Sequence, residues 1–239
     1  MRTLHSDHLI AILRMMLGTV LVMDGMSFVL SENDSFGNLY IEAVTKMILG
    51  MMIFMGMFVR LFGVSTSIAL IVFAFLNPEG VTSIQGEYYG LVLLTFAMSI
   101  SGAGAWSMDS MMLKKRTELV ALKDLYFGFL RFSVIMLLFS EIFLYVKLVE
   151  AGEGIEIAWI MFILVVVLAL LLLIGIAARY VMMLVLAFLL TDTLIGSIGF
   201  FVLEELILKL TFSLAALIYI LLGPDKTTFF KDFSLSKKP

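Results

Sequence analysis

Long apolar runs, each broken by a few polar residues, follow one another along the whole chain. A membrane-spanning helix needs roughly 20 mostly apolar residues, and eight segments meet that length: His8–Leu30, Tyr40–Arg60, Leu61–Asn77, Glu87–Trp106, Leu125–Lys147, Ile157–Ala177, Tyr180–Phe200 and Leu203–Leu222. The third is the shortest and abuts the second. "LNPEG" at 76–80 reads as a helix stop and turn, and 148–156 as an acidic, Gly-containing loop. The first run is too long for the apolar part of a secretory signal and has no small-x-small cleavage site, so it is expected to be retained. The pattern predicts an all-α membrane protein of eight transmembrane helices.

Lys and Arg fall almost entirely on one side of these spans. That side holds Arg2, Arg60, Lys114, Lys115, Arg116, Lys123, Arg179, Lys226, Lys231, Lys237 and Lys238, while Lys147 only borders an opposite loop. The opposite loops, 31–39, 78–86, 148–156 and 201–202, hold none and carry Glu32, Asp34, Glu79, Glu150, Glu153 and Glu156 instead. Cytoplasmic loops are the ones enriched in Lys and Arg, so both termini are expected in the cytoplasm and the chain in the cell (inner or plasma) membrane.

The polar positions also repeat. At an offset of about 117, Arg14 and Asp24 in the first span match Arg131 and Glu141 in the fifth; Arg60 matches Arg179, and Thr95-Phe96 matches Thr211-Phe212. Residues 1–118 and 119–239 therefore read as two four-helix repeats. Each has an even number of spans, so they share one orientation, a parallel repeat.

Composition sharpens this picture. Hydrophobic residues make up 62% of the chain and mean hydropathy is +1.11, against about 45–50% apolar for a soluble domain. The net charge of −3 shows no basic patch for nucleic acid. With no cysteine, the chain cannot supply a disulfide, an iron–sulfur cluster or thiolate-bound zinc. Its two histidines, His5 and His8, share one helix face and cannot clamp a haem from both sides. No metal site is expected, and no cofactor is held by this chain alone. The Met-rich stretch "KMILGMMIFMGMFV" reads as gap-filling packing.

An ionisable group in a span costs roughly 2.5–3.5 kcal/mol on insertion scales and so needs a partner or a role. Arg14 and Asp24 are about 15 Å apart along their helix and cannot pair. Arg14 and Arg131 lie in the cytoplasmic third, where a long side chain can snorkel to headgroups or contact an anion. Asp24 falls level with Lys46, and Glu141 with Lys209, so two ion pairs are expected in the outer half, either as structural ties or as sites for a quinone headgroup or a proton. Asp192 lies near the same depth with no evident partner, and an unpaired carboxyl there is expected to be neutral. Gly18, Gly50, Gly56, Gly90, Gly102, Gly104, Gly128, Gly175, Gly196 and Gly199 stand where helices could approach closely. Trp106 and Tyr180 fit the cytoplasmic interface, and Tyr40 and Trp159 the outer one.

"SGAGAWSMDSMM" at 101–112, with Gly102, Gly104, Trp106, Ser107 and Asp109, resembles the closing motif of DoxX-family membrane proteins. "LRMMLGTVLVMDGMSFVL" at 13–30 is similar to the first helix of that family through Arg14, Gly18 and Gly25. The match covers the first half better than the second, where "GPDKTTFFKD" keeps Gly223 and Pro224 but lacks Ser-x-Asp. Read locally, Ser107 is expected to cap a helix beginning near Met108, with Asp109 in its first turn. The resemblance implies a compact four-helix unit. It also implies a non-catalytic integral subunit of a respiratory or other membrane redox complex, with other membrane subunits as partners and contacts to quinone or lipid. Two further readings stand beside it: a DoxD-like subunit of a thiosulfate:quinone oxidoreductase, and a small-solute transporter. The acidic outer loops repel a thiosulfate dianion, and the lack of proline inside the spans gives a carrier no obvious broken helix.

Overall fold

The computed structural model describes residues 2–30, 38–76, 85–102, 104, 106–109, 123–151, 155–175, 177–196 and 203–222. The acidic loops, the basic block at 114–116 and the stretch after Leu222 lie largely or wholly outside these residues. The described residues form eight helices and no strand: α1 (Arg2–Leu30), α2 (Asn38–Met55), α3 (Val59–Leu76), α4 (Gln85–Ser101), α5 (Lys123–Ala151), α6 (Ile155–Ile174), α7 (Ala178–Gly196) and α8 (Leu203–Leu222). Among the described residues, three stretches are long and apolar enough to cross a membrane by length and composition: Asp7–Ser27, Val59–Leu76 and Leu125–Lys147.

The expected boundary between the second and third spans moves. Helix α2 stops at Met55, five residues before the predicted Arg60, and α3 starts at Val59. Gly56 ends α2 at φ +74, which a residue without Cβ adopts readily. Its N–H donates to the Ile53 carbonyl at 3.0 Å, and the Met57 N–H reaches back to Met52 at 3.1 Å, a Schellman closure. Phe58, at φ +43, then offers its carbonyl to the Leu61 and Phe62 N–H groups and starts α3. The turn between α6 and α7 follows the same path. Gly175 has φ +79 and donates to Leu171 and Leu172, and Ala177, at φ +48, accepts from Tyr180 and Val181. Gly56 and Gly175 therefore serve as helix stops, and Gly56 also lets Arg14 of α1 approach closely.

Helix neighbours obey an exchange of halves. Within each half the first helix packs on the second and the third on the fourth, with lighter contacts between second and third and between first and fourth. Between halves, α4 packs on α5 and α8 on α1. Swapping α1–α4 with α5–α8 turns every one of these pairs into another of them. The result is an inner ring of α1, α4, α5 and α8, flanked by α2 and α3 on one side and α6 and α7 on the other. The halves are not two free-standing bundles: one apolar core joins Leu13, Leu17 and Leu94 to Leu130, Leu137, Phe212 and Ala216.

Small residues set the tightest crossing. A Cβ on Gly18 would stand 2.7 Å from the Gly50 carbonyl oxygen, and one on Gly25 would stand 2.6 Å from that of Ala43. Seven residues separate the members of each set, so α1 and α2 touch backbone to backbone over two turns. Gly63 plays the same part between α3 and α4, beside a hydroxyl bridge from Ser67 Oγ to Thr95 Oγ1 of 2.7 Å.

Candidate functional site

Two groups of buried charges lie toward the end of the bundle away from the Gly56 and Gly175 turns. In the first, α1 supplies Asp24, α2 supplies Glu42 and Lys46, and α4 supplies Tyr88. The α1–α2 crossing at Gly25 and Ala43 brings Lys46 to α1. Its Nζ lies 2.8 Å from Asp24 Oδ2 and 2.7 Å from Glu42 Oε1. The Tyr88 hydroxyl donates to the same Glu42 oxygen at 3.2 Å, and its ring centre is 5.0 Å from the ammonium. The Lys46 side chain is 3% exposed.

The second group joins α5, α7 and α8. Lys209 Nζ sits 2.5 Å from Asp192 Oδ2 and 3.7 Å from Glu141 Oε1. Tyr145, one turn beyond Glu141, lies within electrostatic reach of all three. Asp192 was expected to lack a partner and to be neutral; it has one, because a single ammonium has three donors and serves both acids. The predicted levels of Asp24 with Lys46 and of Glu141 with Lys209 correspond to contacts here.

Each group has the same stoichiometry: two carboxylates around one ammonium, with a tyrosine alongside. Only the first-helix acid, Asp24 or Glu141, occupies matching places in the two halves. The cation comes from the second helix of one half and the fourth of the other. Among the described residues each cluster sets two carboxylates on one ammonium, in surroundings where Coulomb interactions are far stronger than in water. Such a group can hold a proton, or turn a donor toward a carbonyl.

At the opposite end, residues 106–109 tie three elements together. Asp109 accepts from the Phe58 N–H at 2.8 Å and the Val59 N–H at 3.2 Å, and its own N–H donates to the Gly56 carbonyl at 3.2 Å. It therefore caps α3 from across the chain. A helix begins at Met108 as expected, and the Ser107 hydroxyl before it donates to the Gly104 carbonyl at 3.2 Å. Arg14 does not snorkel. It is fully buried and donates from Nη2 to the Trp106 carbonyl at 3.1 Å, against Gly56, where any Cβ would overlap its guanidinium. The His8 ring packs 4.6 Å from that of Trp106. Arg131 is also buried, beside the Phe132 ring at 5.6 Å.

No family model, curated protein or solved structure matches this chain. The site is therefore read from its geometry alone. Among the described residues, no group of three or more His, Asp or Glu is placed to hold a metal ion.

The sequence reading missed Glu42 and Tyr88. Glu42 had a signal, since Glu four residues before Lys on a helix is a favourable spacing. Tyr88 had none, because α4 meets the first two helices only in the folded bundle.

Proposed function

We propose that this chain is an integral membrane protein whose eight helices all span the bilayer. We further propose that it acts as a non-catalytic subunit of a membrane redox assembly, binding partner subunits and offering its charge clusters to a quinone headgroup or a proton. The observation that carries the membrane reading is the outer surface. Phe75 is 80% exposed, Ile160 65% and Leu61 63%, amid further exposed Ile, Leu, Val, Met and Phe on α2, α3, α6 and α7, while Arg14, Lys46, Glu141 and Lys209 are buried. Water does not tolerate so continuous an apolar face. Trp106 and Tyr180 are exposed near one end and Tyr40 and Trp159 near the other, as interfacial aromatics are.

Composition undercounts the spans on this reading. Helices α2 and α7 lose hydropathy to Glu42, Lys46 and Asp192, yet each of those charges meets an opposite charge inside the protein. The redox assignment rests on the resemblance of residues 13–30 and 101–112 to DoxX proteins and on the small loops. Its test is a mild-detergent pull-down of the tagged chain with an optical spectrum. Co-purifying haem or copper subunits are expected; a colourless, homogeneous single chain overturns the subunit reading.

The paired clusters favour a second reading, a proton-coupled carrier. Each cluster gathers two carboxylates on one ammonium, and both clusters lie toward one end of the bundle. Acidification of proteoliposomes on solute addition, lost in Asp24→Asn and Glu141→Gln, is the outcome expected of a carrier. Unchanged internal pH across a panel of small solutes counts against it.

A further inference from the structure

Arg131 stands on α5 where Arg14 stands on α1, but the surroundings of the two differ. The loop of residues 102–109 covers Arg14: Gly104 lies so close that a Cβ there would be 3.0 Å from the Ala11 nitrogen, and the Trp106 carbonyl accepts from the guanidinium. Arg131 is 9% exposed and its Nε is buried. Among the described residues no hydrogen bond or ion pair reaches this guanidinium; its recorded contact is the Phe132 ring. Gly128, the counterpart of Ala11, has none of the described residues within 4 Å of where its Cβ would be.

A helical side chain leans toward the start of its helix. Arg131 therefore reaches back along the face that Gly128 leaves open. A guanidinium keeps its charge under all ordinary conditions, and burying it without an anion is costly. Its planar fork of N–H donors matches carboxylate and phosphate oxygens. We propose that Arg131 and the space beside Gly128 form a binding niche for a phosphate-type oxyanion, carried by an anionic phospholipid headgroup or free in solution. Arg131 lies about 12 Å along α5 from its first residue, on the end of the bundle where Arg14 lies. Gly128 is the specificity element: any side chain there takes up the anion's space.

The test uses the full chain, delipidated in mild detergent, and reads its thermal unfolding midpoint with phosphatidylglycerol, phosphatidylcholine or inorganic phosphate added. Phosphatidylglycerol is expected to raise the midpoint of the wild type by several degrees, while phosphatidylcholine leaves it unchanged. The rise is expected to vanish in Arg131→Gln and to persist in part in Arg131→Lys. An equal rise with inorganic phosphate assigns the niche to the free ion; a rise with the lipid alone assigns it to a headgroup. Gly128→Leu keeps the charge and fills the space, so it is expected to abolish the rise and carries the test if Arg131→Gln does not fold. The proposal is overturned by no rise in the wild type with either probe, or by the same rise in wild type, Arg131→Gln and Gly128→Leu. The outcome does not depend on the subunit reading, because only the isolated chain is used.

Discussion

Replacing Lys46 with Met isolates the energetics of the first charge cluster. The ammonium holds Asp24 Oδ2 at 2.8 Å and Glu42 Oε1 at 2.7 Å, so these oxygens lie within about 5.5 Å of each other. Without the cation, two ionised carboxylates at that separation repel by about 3 kcal/mol at an effective dielectric constant of about 20. The hydrogen bond from Tyr88 steadies Glu42 but neutralises nothing. Removing one partner of a buried ion pair costs about 3–5 kcal/mol in general, of the same order. Lys46→Met should therefore lower the unfolding free energy in detergent by about 3–5 kcal/mol at neutral pH. The sign with pH follows from charge. Protonating either orphaned acid removes the repulsion, so the variant's deficit should shrink as pH falls. Removing all three charges (Asp24→Asn, Glu42→Gln, Lys46→Met) should recover most of the loss, because a fully neutral replacement leaves no orphan. Denaturant titration monitored by Trp fluorescence measures each quantity. A Lys46→Met deficit below about 1 kcal/mol, or a triple variant no better than the single, refutes the reasoning, since neither fits a cluster held by one buried cation.

Three other outcomes follow from the geometry. Asp109→Ala removes two bonds to the start of α3 and should cost about 1–2 kcal/mol, with faster amide exchange at Phe58 and Val59 by mass spectrometry; unchanged exchange there contradicts the cap. Ala177 has φ +48, so Ala177→Gly should stabilise by up to about 1 kcal/mol, while Gly56→Ala should destabilise by more than that, through strain and overlap with Arg14; denaturation midpoints moving the other way reject this. The cysteine-free background allows single reporters. A fluorophore at Phe75→Cys or Ile160→Cys should be quenched by nitroxide lipids in vesicles far more than one at Leu137→Cys, and equal quenching argues against the lipid-facing assignment.

The eight helices and the depth of their charges were legible because lipid-scale apolar runs and loop charges are one-dimensional signals. Depth along a helix follows directly from 1.5 Å per residue, which is how Asp24 met Lys46. Azimuth does not follow. Asp192 was read as partnerless because nothing in the order of residues says that α7 and α8 turn it toward the ammonium already claimed by Glu141. The same gap hid Tyr88. Asp109 was read in its own helix start, since local capping is the commoner use of Ser-x-Asp, whereas its carboxylate crosses to a turn fifty residues earlier. Arg14 was expected at the headgroups; the loop that covers it is set by Gly102 and Gly104, whose positive φ values bend the chain back over α1. The inner ring of first and last helices could not be read at all, because its closing contacts join segments from different halves.

That ring has a bearing on ancestry. Helix α4 meets α5 on one side and α8 meets α1 on the other, so both closures join a last helix to a first helix. A chain of four such helices, half this length, would carry one surface of each kind. Two copies side by side, in the same orientation, would complete the circle without any feature special to a fused protein. The halves now differ in which helices contribute the lysine and the second carboxylate, a divergence open to a fused chain and closed to a pair of identical copies.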